Sequence, residues 1–129
     1  MTKISSYFCS VKNKPNWGQT INSISPGKAK SEYYRNILDS WPNIPYTSIT
    51  VKKVGKPFTS EQFENNARYR GLPEIKCGQK VEVNNNIGYI VGHNASANFN
   101  VYFENDNPKY KDITLNVHPN EIVILENNV

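Results

Sequence analysis

Residues 76–105 read KCGQKVEVNNNIGYIVGHNASANFNVYFEN. Val81 and Val83, then Ile90, then Val101 and Phe103 recur at the alternate spacing of strands with one buried face. Asn84–Asn86 and the small polar run His93–Asn98 interrupt the pattern where turns belong. The stretch therefore predicts a three-stranded meander with strands at 80–83, 88–92 and 99–104. HNASAN suits a tight return between strands better than a catalytic loop, and His93 at its start has no evident role.

The pattern continues downstream. NDNPKYKD is a longer loop, Ile113–Val117 a fourth strand, HPNE a tight turn and Ile122–Leu125 a fifth strand. Evenly spaced short strands of this kind suit a small closed barrel. Four features converge: G-x-x-V-x-V from Gly78, G-x-I-V-G from Gly88, V-x-F at Val101–Phe103, and a proline turn before the last strand. With them, residues 78–125 resemble an SH3-like barrel of the KOW, Tudor or CAP-Gly sort. The resemblance implies a five-stranded barrel and no single activity, since that barrel serves many functions. The whole chain, with ENNARYRGLP leading into the barrel, also resembles small proteins encoded in phage genomes. That likeness implies a phage or prophage origin, with a bacterial cytoplasm or a virion as the location.

Upstream the period changes. Ile4–Val11 reads as a strand with Tyr7, Cys9 and Val11 on one face and Phe8 on the other. KNKPNWGQ is expected to be a turn, and QTINSI a short second strand returning as a hairpin. Ser25 then caps a helix whose first position is Pro26, where the missing N–H is harmless. Ala29, Tyr33, Ile37 and Trp41 form its buried stripe, widened by Tyr34 and Leu38, before Pro42 and Pro45 end it. Tyr46–Val54 alternates as a strand. A second helix follows. Thr59 with Gln62 fits a capping box and Phe58 with Phe63 a hydrophobic staple. Gly71, with Leu72 folding back on Ala67 and Pro73 behind, ends it. The expectation is an α+β fold: a ββαβα unit over residues 1–72, packed through the short junction Leu72–Pro73 against a five-stranded SH3-like barrel over 73–129.

Charge divides the same way. Residues 1–72 hold eleven Lys and Arg against four acidic residues, a net of +7; residues 73–129 hold four against seven, a net of −3. No apolar run approaches the ~20 residues of a membrane helix, and the first residues lack the apolar core of a secretion signal. Cys9 and Cys77 are thus expected to be free, buried thiols of a cytoplasmic protein.

Chemistry is sparse. SISPGKAKS lacks the first glycine and the G-K-[ST] ending of a phosphate-binding loop. Cys9, Cys77, His93 and His118 lack the close spacings of a zinc site, so neither metal nor cofactor is expected. No nucleophile motif surrounds Cys77 or Ser96, and Asp39, Asp112, Glu61 and Glu64 form no acid–base pair. These readings exclude an enzyme and a small-molecule substrate, and leave binding of a macromolecule. A protein partner is preferred, met by Tyr89, Tyr102 and Tyr110; Tyr102 lies opposite the core face of Val101 and Phe103 and is expected to be exposed. The alternative is nucleic acid, held by Lys28, Lys30, Arg35, Lys52, Lys53, Lys56, Arg68, Tyr69 and Arg70, where cations interleave with an aromatic ring. Oligomeric state stays open, because exposed barrel edges often pair.

Overall fold

The structure is a computed structural model, and it describes residues 4–94, 96–103 and 112–125. The chain is mixed α+β, with two helices and two antiparallel sheets. In order come β1 (Ser5–Val11), β2 (Lys14–Ser23), α1 (Pro26–Leu38), β3 (Ile49–Gly55), α2 (Glu61–Tyr69), β4 (Lys80–Val83), β5 (Asn86–His93), β6 (Phe99–Phe103), β7 (Ile113–Val117) and β8 (Val123–Ile124). They divide into two compact units, one over residues 3–58 and one from residue 59 onward.

The first unit is a three-stranded sheet of order β2-β1-β3 with α1 on one face. Its core joins Tyr7, Cys9 and Val11 of β1, Ile21 and Ile49 of the flanking strands, and Ala29, Tyr33 and Ile37 of α1. Ser25 caps α1 by accepting from the Lys28 amide at 3.1 Å. The stretch expected to be a turn is mostly strand. Only residues 12–13 turn, with Asn13 left-handed at φ 64°, and β2 continues through Pro15 and Gly18 with its pairing to β1 shifted between Gln19 and Lys14. Pro15 is tolerated because β2 is an edge. Gly18 is there to be covered: a Cβ on it would stand 2.1 Å from the tip of the Phe8 ring, which lies over the bare backbone.

The second unit begins with α2. Ser60, not Thr59, is its cap: the Ser60 hydroxyl accepts from the Phe63 amide at 3.0 Å. The Thr59 hydroxyl instead accepts from the Cys77 amide at 3.1 Å, tying the helix entry to the start of the sheet. The far end closes as the sequence suggests. Gly71 is left-handed at φ 77°, its N–H donates to Arg68 O at 3.0 Å, and Leu72 N–H donates to Ala67 O at 2.8 Å. Leu72 packs on the core that contains Ala67.

Two expectations change here. The buried face of α2, Phe63 and Ala67, belongs to the same core as Ile75, Val81, Val83, Ile90, Phe99, Val101, Phe103 and Val117. The order β1-β2-α1-β3-α2 is the expected ββαβα, but α2 shares its core with the second sheet rather than the first. The sheet also does not close. Its order is β7-β6-β5-β4-β8, leaving β7 and β8 as edges. β8 spans two residues, paired as Val81↔Ile124 and Glu82↔Val123 and extended by the Leu125 N–H donating to Lys80 O at 3.0 Å, and among the described residues it does not pair with β7.

Candidate binding surfaces

Of the tyrosines expected to meet a protein partner, Tyr89 and Tyr102 are cross-strand neighbours, and Tyr102 is not exposed. Tyr102 is buried at 6 % exposure, and its hydroxyl donates to Asp112 Oδ1 at 2.5 Å. Alternation does turn it away from Val101 and Phe103, but this strand is covered on both faces, so opposite the core is not outside. Tyr89 stands directly across from it on β5 and is half-buried. Tyr110 lies outside the described residues.

The HNASAN loop has a structural answer. Asn94 organises it, its side-chain oxygen accepting from the amides of Ser96 at 3.0 Å and Asn98 at 3.1 Å. Its backbone N–H donates to Asn98 O at 3.0 Å. Ala97 takes the left-handed conformation at φ 61° that closes the return. Arg70 then clamps the loop. Its guanidinium donates to Ser96 O at 2.9 Å, Ala97 O at 3.3 Å and the Asn98 side-chain oxygen at 3.0 Å. Arg70 was expected to contact nucleic acid; its donors are turned to its own chain instead, because a planar five-donor fork fits a bend of carbonyls. Arg68 Nη2 likewise meets Asn65 Oδ1. Tyr69, between them, is 80 % exposed.

Both histidines acquire roles. His93 Nδ1 is 2.9 Å from the Asn66 amide nitrogen, and its ring meets the Phe63 ring edge-on with centroids 5.9 Å apart. It fastens α2 to β5. His118 Nδ1 accepts from Asn120 N–H at 3.1 Å and caps the 3-10 turn at Pro119–Glu121. His-Pro at a turn start was the only available sign of the second role. The first spans 27 residues and left none.

The predicted cations of the first unit are placed around it, not in a row. Lys52 pairs with Phe8 and Lys53 with Tyr7, so they sit on opposite faces of the sheet, and both are exposed. Lys56 is exposed beyond β3, while its carbonyl accepts from the buried Ser6 hydroxyl at 2.7 Å. Lys28 and Arg35 are exposed on α1. Lys30 Nζ lies 4.4 Å above the Tyr46 ring. Residues 3–58 hold nine Lys and Arg against two acidic residues, a net of +7; residues 59–129 hold six against nine, a net of −3.

Sequence reasoning missed two exposed aromatic residues of this unit, Trp17 and Tyr46. Trp17, 45 % exposed on β2, meets Trp41 beyond the end of α1, with ring centroids 5.3 Å apart. Trp17 is held from behind by Tyr33, whose buried hydroxyl donates to its carbonyl at 2.5 Å. Tyr46 meets Tyr34 edge-on at 5.1 Å, and Tyr34 donates to Ile44 O at 3.0 Å. Trp41 and Tyr34, expected on the buried stripe of α1, do pack against its core, although α1 ends at Leu38. Trp17 lay in a stretch read as a turn, and Tyr46 in one read as a strand that is a 3-10 turn over Tyr46–Ser48.

In the second unit the Lys76 ammonium, 2.9 Å from Glu64, holds that carboxyl below its ordinary range; among the described residues the other shifts lie in the first unit. Burial, aided by the Glu32 charge, pushes the Cys9 thiol up to about 11, so it stays protonated and is no nucleophile. Burial raises Glu32 above the ordinary carboxyl range while Arg35 pulls it back. Among the described residues no three His, Cys, Asp or Glu side chains come together as metal ligands, and no helix is long and apolar enough to cross a membrane. No protein-family model, no curated protein and no solved structure matches the chain.

Proposed function

We propose that this is a non-enzymatic binding protein that engages an acidic protein partner through its first unit. The observation that carries the reading is the pairing of exposed, edge-packed aromatics with one-sided charge. Exposed Trp17 and Tyr46, packed edge-on against the part-buried Trp41 and Tyr34, stand on the unit whose net charge is +7. Trp and Tyr anchors held rigid by neighbours are what protein interfaces concentrate, and a surrounding positive field selects and steers an acidic partner. The phage-like character of the chain suits an adaptor, a virion component or an inhibitor of a host factor acting in a bacterial cytoplasm. The strand order of the second unit and the 3-10 turn before β8 support an SH3-like ancestry for that sheet.

Nucleic acid is the second reading, favoured by the exposed Lys52, Lys53 and Lys56 and by the open ring of Tyr69. It is weaker because Lys52 and Lys53 lie on opposite faces of their sheet and Arg70 donates to its own chain, whereas a phosphate track needs cations along one groove. The discriminating experiment is capture from bacterial host lysate with and without nuclease. A protein retained after nuclease treatment, and lost with Trp17→Ala but not with Lys52→Ala/Lys53→Ala, is the expected result. Loss on nuclease treatment, with single-stranded oligonucleotide binding that falls steeply with salt, moves the assignment to nucleic acid.

A further inference from the structure

β7 is an edge strand without the usual protection. Edges are normally blunted by lysine, proline, a bulge or brevity. The other edges follow that rule: β2 carries Lys14 and Pro15, β3 carries Lys52 and Lys53, and β8 is two residues long. β7 is five residues, ITLNV, with no charge and no proline, and it pairs with β6 without a register shift. On its other side no hydrogen bond joins its backbone to any described residue. Its core-side residue Leu115 stands opposite Val101, which is fully buried, yet is itself 38 % exposed. The core face thus runs out to this edge, and among the described residues no further strand continues it.

The strand is also symmetric in character about Leu115. Ile113 and Val117 flank it on the core face, and Thr114 and Asn116 alternate with them on the other. An antiparallel pair centred on Leu115 opposes Ile113 with Val117, Thr114 with Asn116, and Leu115 with itself. Apolar meets apolar and polar meets polar over the full strand, and the outward backbone groups find partners. We propose that β7 pairs with β7 of a second copy of this chain, about a twofold axis at Leu115, joining the two sheets into one with a continuous core face. Such an isologous contact closes on itself and yields a dimer rather than a filament. One short strand per partner puts the contact at the weak end of specific interfaces, with a dissociation constant on the order of 0.1 mM. The inference is independent of the binding role of the first unit.

Sedimentation equilibrium on the full chain tests it. The wild type is expected to show a reversible monomer–dimer equilibrium, Leu115→Lys to remain monomeric at the same concentrations, and an equimolar mixture of Leu115→Lys with Leu115→Glu to recover the dimer. A wild type that stays monomeric up to about 1 mM, well above that constant, overturns the proposal, as does a Leu115→Lys variant that associates like the wild type. Should the variants fail to fold, amide hydrogen exchange of the wild type decides instead. Protection confined to residues 113–117 that rises with protein concentration supports the pairing, and concentration-independent exchange there overturns it.

Discussion

Arg70 shows how little a side chain's type says about its use. In the sequence, Arg68, Tyr69 and Arg70 look like one basic–aromatic contact. In the fold, Tyr69 is exposed, with the Arg70 guanidinium 5.8 Å from its ring centroid, while Arg70 spends its donors on Ser96, Ala97 and Asn98. Removing it leaves carbonyls of a tight return without their partner. Arg70→Ala is expected to destabilise the protein by about 1–3 kcal/mol, read from the midpoint of urea unfolding. Arg70→Lys is expected to recover little, because an ammonium cannot reach a bend with the geometry of a planar fork. Tyr69→Ala is expected to leave stability unchanged, which would separate the two neighbours cleanly. His93 belongs to the same lesson: its partner Asn66 is on α2, and no local rule joins the two.

Secondary elements were far more legible. Helix ends depend on neighbours within four residues, and so Ser25, Gly71 and Leu72 were readable from the sequence. The choice between Thr59 and Ser60 was not, since Thr59 is diverted by Cys77, which lies well along the chain. Strand faces were legible where one side is solvent. On β6 both sides are covered, and alternation mistook Tyr102 for a surface residue. Gly88 reports how tightly β5 and β6 are packed. A Cβ there would stand 2.6 Å from Val101 Cγ1 and 3.0 Å from the Tyr102 carbonyl oxygen. The backbone oxygen cannot step aside as a side chain can. Gly88→Ala is therefore expected to lower stability by about 1–3 kcal/mol in thermal or denaturant melts, although alanine has ordinary access to the backbone conformation.

Taken as a molecule, the chain carries two separate cores, and the assignment of α2 to the second moves the division from Leu72–Pro73 to the region of Phe58–Thr59. The move leaves the charge division intact, at +7 and −3, because residues 59–72 carry as many acidic as basic side chains. It makes a sharp prediction about fragments. A piece spanning 59–129 keeps Phe63, Ala67 and the Thr59–Cys77 bond, and is expected to give a cooperative unfolding transition and dispersed amide resonances. A piece spanning 73–129 loses the helix that covers Ile90, Phe99 and Phe103. Loss of a buried phenylalanine alone costs about 3–5 kcal/mol, comparable with the whole stability of so small a unit, so that piece is expected to be largely unfolded by the same measurements.

Local physics was therefore enough for the helices and strands in outline, the N-cap of α1, the end of α2 and the uneven charge, though not for the end of α1 at Leu38 or the 3-10 turn at Tyr46–Ser48. Each rests on spacing along the chain, which the sequence displays directly. The sheet to which α2 belongs, the burial of Tyr102, the clamp of Arg70 on HNASAN, the Trp17–Trp41 pair and the open edge at β7 were settled in three dimensions. Each depends on which distant residues meet, and burial and hydrogen-bond satisfaction are properties of that meeting rather than of any one stretch of chain.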